Sequence, residues 1–432
     1  MPPTPSTGPI SFLDIINEFG NLTDNDKGNS TSNPDPVKLG AYRTNVSYKS
    51  VSYPLDEGVP TGTSPISFSN LRGKRLNIIV KVHTDDTNNT ANAKDLYDDR
   101  TRNISIVGNG REKKFKNSRI HIVVTGVWGS VRGTAPTGST VSQSRRLTCA
   151  VRTGSWTASD GVTPTSVDLR VGGSESQSGY IIGGGGDGGK GGISDGETSE
   201  SEAYKANGGN GCIGTSALGL DIPLRNLEVR SPGRIQAGCG GGGGGGGAGG
   251  ELRGDRSNER AGGGGGGGGS GVPGGLGGAF GFNDDDKENS TDDAEKDGHK
   301  GINLTAQDGE SGISNTGGDG GRGADNSEEG GQGSDSAQGG GGGAGGGIDP
   351  GEGGDATEGA ESGAEGEEIK GQNDPDYSGE GGAGGDGDAE GQGQQTGTGG
   401  LGGQHGLAID IGQNPIGSIT GSDRIYGRYN LV

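Results

Sequence analysis

The sequence predicts a mainly β protein joined to a bundle of polyglycine II helices. Three observations carry that prediction. Two runs of eight glycines, Gly240–Gly247 and Gly262–Gly269, lie fourteen residues apart in a glycine-rich region from about 172 to 403. Short Ile/Val runs broken by Gly, Asn, Asp and Pro fill residues 76–182, a pattern of strands and turns. A closing β signature, Ile409–Val432, ends the chain.

Composition limits what these pieces can be. Of 432 residues 104 are glycine, 25% are apolar and 4% aromatic, so no ordinary core spans the whole length. Residues 1–172 hold only 16 of the glycines and carry a net charge of +6. Residues 173–432 carry −27, giving the total of −21. So acidic a half repels nucleic acid and anionic lipid and attracts cations. Neither a nucleic-acid partner nor membrane insertion is expected. Three cysteines, Cys149, Cys212 and Cys239, are too few and too far apart for a disulfide framework or a zinc site. Cys212 and Cys239 are a candidate pair across neighbouring glycine segments. Met1–Pro9 has no basic and apolar signal-peptide regions, so no secretory leader is expected.

Residues 1–75 read as a docking module with short helical turns. Pro9-Ile-Ser-Phe12 recurs as Pro65-Ile-Ser-Phe68. Ser11 is an N-cap, Asp14 completes a capping box, and Gly20 is a natural stop. Ile15, Ile16 and Phe19 share one helical face. Val37–Arg43 and Ser67–Gly73 read as single turns. The module has too little apolar surface to stand alone, so it is expected to dock through Ile10, Phe12, Ile15, Ile16, Phe19, Leu39, Tyr42, Ile66, Phe68 and Leu71.

Residues 76–182 read as a small β-sandwich. Its expected strands are Leu76–Val82, Ile104–Val107, Arg119–Val127, Arg146–Arg152, Val167–Val171 and Gly179–Ile182, with Trp128 and Trp156 in the core. Residues 183–403 form the glycine-rich region, with acidic inserts between tracts. Residues 404–432 close it. A strand–turn–strand pattern recurs at Val167–Ile182, Leu227–Ile235 and Ala408–Ile425, and reads as three hairpins framing the glycine.

Three states of such glycine are possible. An acidic flexible linker is one. Against it stand the strands on both sides and in the middle, the lack of Ser or Pro enrichment, and the β-like C-terminus. Collagen needs Gly at every third residue with abundant Pro, and the blocks of glycine with only 17 prolines exclude it. Polyglycine II remains: extended threefold helices that rise ~3.1 Å per residue and bond only to neighbouring helices. Only glycine lets such helices pack closely. The acidic inserts then become loops where the chain reverses.

Ile10–Gly20, Val37–Arg43 and Ile66–Lys74 together resemble an N-terminal module of structural proteins of tailed phages, especially those of marine bacteria. The β region, with Gly179-Tyr-Ile-Ile-Gly183 entering a glycine tract, is similar to glycine-rich phage tail-fibre proteins and fibre-tip adhesins. The resemblance covers most of the chain. It implies a virion protein that attaches to other tail or fibre proteins through residues 1–75. It also implies binding to a host surface polysaccharide or outer-membrane protein, and assembly as a homo-oligomer, a trimer being expected. On this reading the recognition surface is the acidic loops, with Arg253, Asp255, Arg256, Asp285, Lys287 and Tyr377 as candidates. Two other classes fit: a structural fibre or decoration protein that binds no receptor, and a secreted calcium-dependent or ice-binding glycine-rich protein.

Catalytic chemistry is not legible. Four scattered histidines, His83, His121, His299 and His405, form no nucleophile–base–carboxylate pattern, and no enzyme is expected. The many Gly-x-Gly-x-x-Gly matches follow from composition. No cofactor is expected, with calcium the one ion worth testing. Its weak candidates are Asp325 and Asp335, in two partial β-roll motifs spaced ten residues apart, and Asp284 and Asp286 in an acidic cluster without an EF-hand glycine.

Overall fold

A computed structural model describes residues 4–19, 39–43, 45–48, 51–74, 77–83, 94–95, 104–105, 119–136, 148–154, 156, 166–173, 178–192, 207–246, 248–251, 258–261, 263–279, 317, 325–326, 336–338, 345–346, 364, 386–388, 395–396 and 398–429. Among these the regular elements are mostly strands with little helix, and the main sheets are parallel.

The N-terminal region folds as its local sequence dictates. Helix α1 spans Phe12–Phe19. Ser11 and Asp14 cap it reciprocally: the Ser11 N–H donates to Asp14 Oδ2 at 2.8 Å, and the Asp14 N–H donates to Ser11 Oγ at 3.2 Å. The echo at Ser67 repeats the device with Asn70, whose Oδ1 accepts the Ser67 N–H at 2.8 Å. It opens a 3-10 turn over Phe68–Leu71, and another covers Leu39–Arg43. Strands β1 (Asn45–Tyr48) and β2 (Val51–Pro54) form an antiparallel hairpin.

Beyond this region the chain winds as a three-sided coil. Strands β3 (Asn77–His83), β4 (Lys94–Asp95), β5 (Ile104–Ser105) and β6 (Arg119–Trp128) begin it. The first full turn is β7 (Val151–Arg152), β8 (Ser166–Val171) and β9 (Gly179–Ile182). The second is β10 (Leu218–Gly219), β11 (Asn226–Val229) and β12 (Arg234–Gln236). The last is β19 (Ile409–Asp410), β20 (Ile419–Thr420) and β21 (Ile425–Tyr426). Each turn lays one strand parallel on its predecessor in each of three stacks: β4-β7-β10-β19, β6-β8-β11-β20 and β6-β9-β12-β21. Strand β6 serves two stacks because it turns a corner at Gly126, whose φ of 82° favours glycine.

Parallel stacking in register lines up like residues. Ile122, Leu169, Leu227 and Ile419 form one column. Trp128, Ile181, Ile235 and Ile425 form a second. Val151, Leu218 and Ile409 form a third. The columns meet in one core with Trp156, which is fully buried. Each fully buried side chain of this size contributes ~1.5–3 kcal/mol.

Two expectations need correction. Residues 76–182 are not an antiparallel sandwich, because β6 and β8 pair in parallel and extend through β11 to β20, far outside that range. Nor are the three recurrent strand–turn–strand segments hairpins. In each, the chain bends from one sheet to the next, and the copies stack on one another. Alternating apolar residues and turn breaks are shared by both architectures, so local pattern alone does not separate them.

The glycine segments are the drawn-out connections from the third stack back to the first, between β9 and β10 and between β12 and β19. After β9 the chain leaves along 183–192 and returns along 207–217 to β10. After β12 it leaves along 238–246 and returns along 263–270. It leaves again along 271–279 and finally returns along 398–407 to β19.

Candidate interaction surface

The extended segments bond to one another with a period of three. The N–H groups of Gly183, Gly186, Gly189 and Gly192 donate to the carbonyls of Gln236, Cys239, Gly242 and Gly245, at 2.8–2.9 Å. Those of Gly185, Gly188 and Gly191 donate to Pro273, Leu276 and Ala279. Antiparallel neighbours follow the same step: Gly266 and Gly269 donate to Gly189 and Gly186, and Gly241 and Gly244 donate to Cys212 and Gly209. A segment thus bonds to several neighbours in different directions, which a flat strand cannot do.

Close approach explains the glycine. A Cβ on Gly188 would land inside contact distance of the Gly266 carbonyl, and one on Gly241 would meet the Asp187 carbonyl. These neighbours are backbone and cannot move aside. Toward the far end the lattice carries side chains at outer positions, as with Lys190, Thr398 and Leu401, all exposed, whereas Cys239, Ser270 and Val272 are buried where it meets the coil.

Side chains also close the lattice edges. Asn207 Oδ1 accepts the Thr398 N–H at 2.9 Å, and Ser216 Oγ accepts the Leu407 N–H at 3.1 Å. Asp187 Oδ1 accepts the Leu276 N–H at 2.8 Å. Each satisfies an outer backbone donor that another extended segment would otherwise take.

The hydrogen bonds fix which ends lie together. At the coil, Gly183 bonds to Gln236, Val272 to Gly183, Thr215 to Gly184, Gly238 to Thr215 and Gly406 to Gly238. At the far end, Gly192 bonds to Gly245, Gly263 to Gly192, Gly191 to Ala279 and Gly208 to Thr398. Segments 193–206, 247–262 and 280–397 therefore all begin and end at the far end, although 280–397 also runs back to the coil end, where the Ser270 N–H donates to the Gly346 carbonyl and the Gly346 N–H donates to the Gly240 carbonyl. Six short strands belong to these segments. They are β13 (Ala248–Glu251), β14 (Asn258–Ala261), β15 (Asp325–Asn326), β16 (Ser336–Gln338), β17 (Asp386–Asp388) and β18 (Gln395–Thr396). They form two antiparallel sheets, β14-β13-β18 and β15-β16-β17. Parts of the glycine-rich region 183–403, expected to be polyglycine II, are thus strand.

The candidate residues divide sharply. Arg253, Asp255, Arg256, Asp284, Asp285, Asp286, Lys287, Asp335 and Tyr377 lie outside the described residues, and Asp325 is placed by backbone only, in β15. Among the described residues no cluster of three or more His, Cys, Asp or Glu side chains could hold a metal. Of the docking candidates, Ile15, Phe19, Tyr42 and Leu71 are fully buried in a cluster with Leu55, Val59 and Val123 of β6. They anchor the module to its own coil, a correction to their expected role in holding a partner. Arg119 of β6 adds an ion pair to Glu57 at 2.6 Å. Ile10, Ile16, Leu39, Ile66 and Phe68 are partly buried. Phe12, which meets Phe68 edge to face, and Leu13 stay exposed at 36% and 64%.

Titratable groups in the described region serve the fold. Burial opposes ionisation of Asp168, but hydrogen bonds from His121 and Arg225 outweigh it and hold the carboxyl below its usual range. His121 Nδ1 lies 3.1 Å from Asp168 Oδ2, so this histidine is a packed partner, as its place in a strand suggests. The three cysteines are free, which corrects the candidate Cys212–Cys239 pair. Ser270 Oγ donates to Cys239 Sγ at 3.2 Å, so this thiol is turned toward a different segment. Burial pushes the Cys212 thiol up to about 11 and that of Cys239 to about 12.

Comparison with protein-family models, curated proteins and solved structures gave no significant match in any of the three. Among the described residues no helix is long and apolar enough to cross a membrane.

Proposed function

We propose that this chain is a phage tail-fibre or fibre-tip adhesin whose coil supports a polyglycine II lattice, and that the lattice presents loops to a host-cell receptor. The three-residue bonding period supports the polyglycine II reading, since a threefold helix returns to the same neighbour once per turn. The observation that carries the functional reading is the shared far end of the lattice. All three inserted segments begin and end there, with 280–397 also sending a glycine segment back to the coil end at Gly346, and the N-terminal module packs on the coil at β6. Sequence variety is thereby concentrated opposite the rigid base, as a recognition device requires. The rigid lattice lowers the ordering cost of binding, and several copies per particle add avidity. The protein belongs to the virion, with residues 1–75 nearest the attachment partner. Exposed Phe12 and Leu13 are the apolar residues left to meet that partner.

Adsorption tests this reading. Purified full-length protein should bind host cells saturably and block infection. Deletion of 283–300 should lower that binding at least tenfold while the melting temperature is retained. Undiminished binding by the deletion variant would favour a structural fibre or decoration role instead.

A further inference from the structure

The outer face of the third sheet carries a positive charge that has no carboxylate partner among the described residues. Ile235 of β12 points into the core, so Arg234 and Gln236 on either side of it project from the opposite face. The Arg234 guanidinium lies between two aromatic rings, 5.6 Å from the centroid of Tyr180 and 6.0 Å from that of Tyr426. Its Nε and Nη2 are enclosed and donate no hydrogen bond. Gln236 is fully buried at 0% exposure, and neither atom of its amide has a partner. Among the described residues, the ionisable groups that act on the guanidinium are the two phenols and the Cys239 thiol, none of them a carboxylate.

A buried charge is ordinarily paired, and buried donors are ordinarily bonded. Here one side of the guanidinium offers two parallel N–H donors, the geometry that receives a carboxylate. Gln236 adds amide donors on the same face. The tyrosine rings favour the cation through their faces but accept nothing in the guanidinium plane. Water would satisfy the donors without balancing the charge. A small anion does both.

We propose that Arg234 and Gln236 form a binding site for a carboxylate-sized anion. Arg234 Nε–H and Nη2–H hold it in bidentate fashion, the Gln236 amide supplies a further donor, and Tyr180 and Tyr426 wall it in. The site adjoins the junction of coil and lattice, where the Gly183 N–H donates to the Gln236 carbonyl at 2.9 Å. Occupancy therefore stiffens that junction, whatever surface the loops recognise.

Thermal unfolding of the full-length protein tests the site, with formate as the probe. The protein is first exchanged into a buffer whose only anion is a bulky sulfonate. Formate should then raise the melting temperature saturably, by about 2–4 °C near saturation. Arg234→Met should abolish the saturable rise. Where that variant does not fold, Arg234→Lys keeps the charge without the paired donors and should shift the formate midpoint at least tenfold upward. Gln236→Glu supplies a carboxylate beside Arg234, so it should melt above the wild type without formate and ignore added formate. A wild type indifferent to formate, or an equal rise in Arg234→Met, would overturn the proposal.

Discussion

Asn210 Oδ1 accepts the backbone N–H of Leu401 at 2.9 Å, and three residues earlier Asn207 does the same for Thr398. The offset between partners is the same in both pairs, so the two segments are locked in register by side chains as well as by backbone. Asn210→Ala would leave the Leu401 donor to water at an exposed edge. The expected loss is about 1 kcal/mol, read from the urea midpoint with an unchanged m-value. Asn210→Asp keeps the acceptor and should stay within ~0.5 kcal/mol of the wild type.

Interior glycines should tolerate no side chain. Gly241 donates to Cys212 at 3.0 Å and accepts from Gly403 at 2.7 Å, and a Cβ there meets the Asp187 carbonyl. Gly241→Ala is expected to cost upwards of ~3 kcal/mol, the range of overpacking combined with broken hydrogen bonds. Lys190→Ala, at an exposed position of the same lattice, should change stability by less than ~0.5 kcal/mol. Chemical denaturation of the two variants side by side checks the contrast.

The thiols should be inert in the native state. With Cys212 raised to about 11 and Cys239 to about 12, little thiolate exists at pH 8, and Cys149 is buried. A thiol reagent should label none of the three within minutes at pH 8, and all three after denaturation. Non-reducing mass spectrometry should show no loss of two protons.

His405 gives the lattice a pH dependence. Its Nδ1 accepts the Gly240 N–H at 3.0 Å, and its Nε2 is enclosed. Burial, with a smaller contribution from Arg428, lowers its pKa from 6.5 to about 4. The unfolded chain therefore takes up a proton near pH 6.5 that the native protein refuses until about pH 4. Stability is fully present above pH 6.5 and is lost as pH falls toward 4, by ~2–3 kcal/mol from this group. His405→Asn keeps an acceptor for Gly240 but cannot titrate. It should flatten the melting temperature between pH 6.5 and 4.5.

Much of the fold was legible where the signal was local. The Ser11–Asp14 capping box, the turn at Ser67, the boundaries of Gly179–Ile182 and the burial of both tryptophans all follow from short-range chemistry. The parallel coil did not, because pairing Leu169 with Leu227 and then Ile419 requires treating three distant segments as copies of one unit. The recurrence itself was visible, and only its geometry was misread, since a bend between sheets and a hairpin leave the same turn residues. The partner of the buried half of the docking face, Val123, does leave a sign, since Ile122-Val123-Val124 puts apolar residues on both faces of β6, but nothing local says that residues 1–75 are what covers the second face. Asn207 and Asn210 were missed although their spacing repeats in Thr398, Leu401, Gln404 and Leu407. A period of three inside glycine tracts marks outer positions. Arg234 and Gln236 left no sequence signal, because their exceptional feature is a missing partner.

Native-state hydrogen exchange tests most directly whether the glycine segments are an ordered lattice. Amides of Gly186, Gly189, Gly241, Gly244, Gly266 and Gly269 all donate to backbone carbonyls of neighbouring segments. They should exchange at least ~10³-fold more slowly than in an unstructured chain, in step with the amides of β8 and β11. Exchange of these glycines within tenfold of the unstructured rate, while β8 and β11 stay protected, would contradict the lattice and leave only the coil.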